Sequence, residues 1–298
     1  MTHVATLISN PAAPALDDGV LARIARHLPA ADAPRWLAPG IAADVCFLPD
    51  ETVEPKMLAG ELRSELDGAP IDIVVQRSAG RRKRLLVADM ESTMIGQECL
   101  DELADKVGLK SRIAAITERA MRGELEFEPA LRERLALLRG LPLSTVHEVL
   151  AERVRINPGA VTLVHTMRAQ GAYTCLVSGG FTLFAEPIAT MLGFDENRAN
   201  RLVVRDDRLE GVEEPILGRD AKLAALLEIA GKLGLQRDAT LAVGDGANDL
   251  AMLEAAGLGI AYRAKPRVAA QAHARIDHGD LTALLYAQGY RREEFVEP

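Results

Sequence analysis

A chain of 298 residues that is 48% hydrophobic and 26% charged can bury the cores of about two domains without staples, which excludes disordered and fibrous classes. With 35 Lys and Arg against 43 Asp and Glu the formal net charge is -8, so no global attraction to nucleic acid or an anionic membrane is expected, and an anionic ligand must be drawn in locally. Cys46, Cys99 and Cys175 are widely spaced and form no C-x-x-C pair, and no apolar run reaches the ~20 residues of a membrane span. With no signal-peptide pattern after Met1, these features predict a reduced cytoplasmic protein without disulfides.

The first block opens with an apolar run from Val4 to Ser9. An amphipathic segment from Asp17 to Leu28 follows, with Leu21, Ile24, Ala25 and Leu28 at helical spacing. Strand-like pieces at Arg35 to Ala38 and Ala43 to Leu48, a helix over Pro55 to Leu66 and the β-rich run Ile71 to Val75 complete a β-α-β-β-α-β order. This predicts a small α+β domain over residues 1–80. Ser78 to Arg84 carries four consecutive basic residues, read as a solvated linker rather than a nucleic-acid signal because the chain as a whole is acidic.

Beyond the linker, short buried strands alternate with helices, which predicts a doubly wound, Rossmann-like parallel sheet over 81–298. The predicted strands are Leu85–Ala88, Tyr173–Val177, Arg201–Val204, Thr240–Val243 and Gly259–Tyr262. The first two lie far apart. The interval is helical in pattern (Gln97 to Val107, Ser111 to Met121, Pro129 to Leu138, Ser144 to Val154), which predicts a helical cap inserted at about 95–156. Ligands of open parallel sheets bind outside the carboxyl ends of the strands, so such a cap encloses the site.

Those ends carry Asp89-Met90-Glu91-Ser92-Thr93, Ser178-Gly179-Gly180-Phe181 and Gly244-Asp245-Gly246-Ala247-Asn248-Asp249, and a helix begins around Arg219 to Lys222. Each alone has an ordinary reading as a helix cap, a turn or a solvated lysine. Together they converge three carboxylates, Asp89, Asp245 and Asp249, on one Lys222, an arrangement that repels itself unless a divalent cation joins. With no His or Cys at these ends, oxygen donors favour Mg2+ over zinc, and a phosphate monoester completes the ligand set. Asp89 then serves as nucleophile and Glu91 as acid. Ser178 and the Gly179 N–H donate to phosphoryl oxygens, and Lys222 adds a positive charge.

These four segments resemble the motifs of the haloacid dehalogenase-like phosphatases over roughly residues 84–285. The resemblance implies magnesium bound by Asp89, the Glu91 carbonyl and Asp245, an aspartyl phosphate, Asn248 on substrate and Asp249 supporting the metal. In the cap, Met94 to Glu98 and Met121 to Arg134 are similar to the branch acting on O-phosphoserine, where Glu98 meets the ammonium and Arg134 the carboxylate. Hydrolysis of that small molecule to serine is therefore expected, the last step of serine biosynthesis. On residue pattern alone, Glu98 and Arg134 read as solvated helix faces, and Met121 and Phe127 as core or apolar wall. The family usually carries Asp where this chain has Glu91, one methylene longer with the same acid chemistry. Two alternatives are a phosphatase or phosphotransferase for another small amine-bearing phosphate such as phosphohomoserine, and a weakly catalytic phospho-amino-acid sensor. A homodimer is left open.

Overall fold

The computed structural model describes residues 1–49, 54–121, 124–218 and 220–297. Arg122, Gly123, Arg219 and the side chain of Met121 lie outside the described residues. Among the described residues no helix is long and apolar enough to cross a membrane.

The N-terminal block forms β1 (His3–Ser9), α1 (Asp18–Ala25), β2 (Arg35–Ala38), β3 (Ala42–Phe47), α2 (Pro55–Ser64) and β4 (Ile71–Arg77). Asp17 caps α1 by accepting from Val20 N at 2.8 Å, and Pro55 pre-sets the first turn of α2. The antiparallel sheet runs β2-β3-β1-β4. Strand periodicity of two gives it two faces. Ala5, Leu7, Ala43, Val45, Ile71 and Ile73 pack against Leu21 and Ile24 of α1 and Leu58 and Leu62 of α2. Ile8, Ala42 and Val74 on the other face join the core of the following block.

That block begins with β5 (Leu85–Ala88) and continues through α3 (Cys99–Lys106), α4 (Lys110–Met121), α5 (Phe127–Leu137), α6 (Leu143–Glu152) and α7 (Ala160–Ala169) to β6 (Tyr173–Phe181). Next come α8 (Thr182–Leu192), β7 (Glu196–Asn200), β8 (Leu202–Arg205), β9 (Arg208–Val212), α9 (Ala221–Lys232), β10 (Thr240–Gly244) and α10 (Leu250–Ala255). The chain ends with β11 (Leu258–Tyr262), α11 (Pro266–Gln271), β12 (Ala274–Ile276) and α12 (Ala283–Ala287). Six strands form a sheet in the order β12-β11-β10-β5-β6-β7, parallel throughout. The order reverses between β5 and β10, so a crevice opens at the carboxyl ends of those two strands. Helices α3 to α6 leave and return there through two linkers that pair at Ile95 and Ile156. Gly96 N donates to Arg155 O at 3.1 Å, Asn157 N to Met94 O at 2.9 Å, and Asn157 Nδ2 to Thr93 O at 2.7 Å.

Two expectations need correction. The predicted strand Arg201–Val204 is not in the parallel sheet; Leu202–Arg205 pairs antiparallel with β9 in a separate ribbon, and the more polar Glu196–Asn200 supplies the sheet edge. The basic run at 81–84 is solvated only in part: Arg82 and Arg84 are exposed, but Arg81 and Lys83 turn into the protein. Arg81 grips the buried Asp44 with two bonds, at 3.1 and 2.5 Å, while Thr6 Oγ1 donates to the same carboxylate at 2.8 Å. Lys83 donates to Gly80 O and Asp238 O, and Arg82 lies 4.2 Å from the centre of the Tyr290 ring. Arg81 thus anchors the connection to the first block and Lys83 to the second. Asp72 on β4 does the same at a distance, its carboxylate accepting from Asp277 N, His278 N and Gly279 N at 2.8, 3.2 and 2.8 Å.

Candidate active site

Asp89 directly follows β5, and its N–H donates to Val243 O at 3.0 Å, locking the chain to the neighbouring β10. Its Oδ1 accepts from Met90 N at 2.7 Å and faces Lys222 Nζ at 2.6 Å. Lys222, in the first turn of α9 and 3% exposed, also donates to Asp249 Oδ1 at 2.5 Å. The other Asp249 oxygen accepts from Asp245 N at 3.1 Å and Gly246 N at 2.8 Å. Both oxygens of Asp249 are therefore engaged inside the protein. A side chain on Gly244 would collide with Asp249 Cγ, and one on Gly246 with Asn248 Oδ1. The two glycines thus make room for Asp249 and Asn248.

Carboxylate oxygens of Asp89, Asp245 and Asp249 lie within 4.8 Å of one another. Burial, then the charge of Asp249, pushes the Asp89 carboxyl well above its ordinary range against the pull of Lys222. The same two causes raise Asp245 to about 6. Burial works against the Lys222 ammonium, but Asp89 and Asp249 outweigh it and hold its pKa above the ordinary value. Three carboxylates against one ammonium is a deficit of positive charge in an all-oxygen donor set, which suits a hard divalent cation. Asp89, Asp245 and Asp249 could together hold such a cation, Asp249 being the one whose two oxygens are both already engaged, by Lys222 and by backbone N–H groups.

Glu91 lies in a tight turn over Met90–Met94 in which Ser92 holds a left-handed backbone, φ 53°. Strain of this kind clusters at functional sites. Glu91 Oε1 accepts from Cys99 N, the first residue of α3, at 2.7 Å. A Cβ on Gly180 would sit 3.1 Å from Oε2, so that oxygen faces the bulged end of β6. Burial, then the charge of Glu98, raises Glu91 to about 7. Glu98 is exposed and accepts from Ser92 Oγ at 2.7 Å. Arg134 on α5 is half-buried, with Nε donating to Ala130 O at 3.3 Å. Burial lowers its pKa while the charges of Asp101, Glu91 and Glu98 oppose the shift. Among the described residues no carboxylate lies within ion-pair distance of the Arg134 guanidinium.

Ser178, Gly179, Lys222 and Asn248 line one cleft with Phe127, Val177, Gly218 and Ala221. Phe127 belongs to α5, so the helical insertion closes this cleft from above. Glu98 and Arg134 stand outside that lining, on the side of Glu91. The sequence reading missed the Cys99 N–H, which leaves no trace in residue identity. It also missed Thr93, whose hydroxyl lies 3.5 Å from Asp245 Oδ1, and Asn200, whose carboxamide bonds Gly179 O of the cleft lining and Leu217 N beside Gly218. A polar residue at the buried end of an otherwise half-buried strand was the one available signal for Asn200.

Residues 86–254 match the family of haloacid dehalogenase-like hydrolases. A phosphoserine phosphatase of Polaromonas sp. is 46% identical over 208 residues, covering 68% of this chain and 88% of that protein. A phosphoserine phosphatase of Streptomyces coelicolor is 42% identical over 245 residues, 81% of this chain, which spans only 60% of that longer protein. The crystal structure of a hydrolase of the same superfamily from Salmonella enterica serovar Typhi superposes with a TM-score of 0.85 at 29% identity, covering 96% of this chain and 98% of the other.

Proposed function

The chain belongs to the haloacid dehalogenase-like hydrolases and, within them, to the phosphoserine phosphatase family, and from that premise we propose that it hydrolyses O-phospho-L-serine to L-serine and phosphate in a magnesium-dependent reaction. The observation that carries the reading is the convergence of Asp89, Asp245 and Asp249 on Lys222 at one strand-end crevice, beneath a helical insertion bearing Glu98 and Arg134.

Magnesium, held by Asp89, Asp245 and the Glu91 carbonyl, would draw charge from the phosphoryl oxygens when bound. The steps themselves belong to protein side chains. Asp89 Oδ2, the oxygen that accepts from neither Met90 N nor Lys222, attacks phosphorus. The bond from phosphorus to the serine oxygen breaks, and Glu91 gives that oxygen its proton. Water then attacks the aspartyl phosphate while Glu91 takes its proton, returning phosphate and free Asp89. Ser178, the Gly179 N–H and Lys222 hold phosphoryl oxygens, Asn248 contacts substrate, and Asp249 keeps Lys222 charged and aimed. Arg134, without an ion-pair partner among the described residues, takes the substrate carboxylate, and Glu98 takes the ammonium.

The same reading divides the chain into an N-terminal α+β domain over 1–80 and a catalytic part over 81–298, with the cap at about 95–156. It places the enzyme in the cytoplasm at the serine-forming step. Phosphate release from O-phosphoserine with and without chelator, for wild type and Asp89→Asn, tests it. Magnesium-dependent release lost in Asp89→Asn supports the reading. Release only from phosphohomoserine, or transfer to serine or homoserine as acceptor, would replace it, and binding without turnover would make the protein a sensor.

A further inference from the structure

Asn200 ends β7 with 2% of its surface exposed. Register shows why a carboxamide is needed there. Between Val177 and Phe181 strand β6 advances four residues while β7 advances two, from Arg198 to Asn200, so Ser178–Gly180 bulges out of the ladder. The Gly179 carbonyl in this bulge accepts from Asn200 Nδ2 at 2.9 Å. Asn200 Oδ1 accepts from Leu217 N at 2.7 Å, and Nδ2 also reaches Leu217 O at 3.5 Å. One buried side chain therefore joins the Ser178–Gly180 wall of the cleft to the segment that leads through Gly218 to Lys222.

A trans peptide points its C=O and N–H to opposite sides of the chain. With the Gly179 carbonyl held toward Asn200, the Gly180 N–H turns the other way, and there it donates to Ser178 Oγ at 2.9 Å. A hydroxyl that accepts from Gly180 keeps its single hydrogen free to turn into the cleft. We infer that Asn200 is a positioning residue that fixes the Gly179–Gly180 peptide, so that Ser178 presents its hydroxyl hydrogen to a phosphoryl oxygen. It touches neither substrate nor reacting atoms and acts through Ser178. The inference rests on the phosphoryl-binding role proposed for Ser178.

A double-mutant cycle tests it, comparing wild type, Ser178→Ala, Asn200→Ala and the double variant. The readouts are kcat and KM for O-phosphoserine with magnesium, the inhibition constant of inorganic phosphate, and thermal unfolding. Asn200→Ala is expected to lower kcat/KM about ten- to a hundredfold, the effect of leaving a buried carbonyl unpaired and a donor misaimed, with phosphate inhibition weakened in parallel. In the Ser178→Ala background the same change is expected to cost about threefold or less. Equal factors in both backgrounds would overturn the positioning role, since a residue that only supports the fold gives additive losses. Should Asn200→Ala fail to fold, Asn200→Leu keeps the volume while removing all three bonds, and it carries the same cycle; a wild-type rate for that variant also overturns the inference. A Ser178→Ala enzyme as active as wild type would instead refute the reading of Ser178 itself, a result distinct from additivity.

Discussion

Shortening Glu91 to Asp tests whether this site is built around the longer acid. Glu91 Oε1 receives the Cys99 N–H at 2.7 Å, and Cys99 is the first residue of α3. Removing one methylene withdraws the carboxylate by about one C–C bond, ~1.5 Å, which carries the contact beyond hydrogen-bond range. A hydrogen bond to a charged group contributes roughly 1.5–3 kcal/mol. Glu91→Asp is therefore expected to lose about ten- to a hundredfold in kcat/KM for O-phosphoserine, because the acid is no longer held against the helical insertion. Glu91→Gln keeps the reach and the Cys99 contact but has no proton to give, so its loss is expected to be larger in kcat, about 10²–10⁴. Both are read from initial rates of phosphate release at saturating magnesium. Glu91→Asp turning over as fast as wild type or faster would refute the reasoning, since the Cys99 contact would then have no part in placing the acid.

Arg134→Ala is expected to cost O-phosphoserine roughly 2–5 kcal/mol in kcat/KM, about thirty- to several thousandfold, while phosphoethanolamine, which lacks the carboxylate, loses far less. Glu98→Gln is expected to penalise substrates bearing an ammonium instead, and equal losses on both substrates in the Arg134 variant would remove its assignment. Asp72→Ala strips the partner from three backbone N–H groups of residues 277–279 and is expected to destabilise by about 2–4 kcal/mol, seen as melting several degrees lower. An unchanged melting temperature would show that Asp72 does not hold the N-terminal sheet to the following block. Gly159→Ala would place a Cβ 2.6 Å from Thr282 N at a φ of +80°, and soluble protein with wild-type melting would contradict that packing.

The sequence of elements in the N-terminal block and the strands β5, β10 and β11 were legible because their apolar runs and turn residues are local in sequence. Leu202–Arg205 was misplaced because Val-rich alternation reads the same in a parallel sheet and in a two-stranded ribbon, and the partner, β9, is what decides. The true edge strand, Glu196–Asn200, is mostly half-buried and polar, and β12 has three residues, so neither carries a hydrophobic period. In the site, Asp89, Lys222, Asp245 and Asp249 could be brought together on paper because each stands at a strand or helix end. The tasks of Arg81, Lys83 and Asp72 could not, since Asp44, Asp238 and residues 277–279 lie far from them along the chain. Arg81 and Lys83 thus read as solvated although tertiary contacts engage them.

In the proposed mechanism Asp89 itself carries the phosphoryl group between the two halves of the reaction. A single turnover of O-phosphoserine labelled at phosphorus, quenched in acid within milliseconds and followed by peptide mapping, reads this directly. Label is expected on the peptide containing Asp89, released by hydroxylamine, and none in Asp89→Asn. Rapid phosphate release with no protein-bound label at any quench time, or label on another residue, would contradict it.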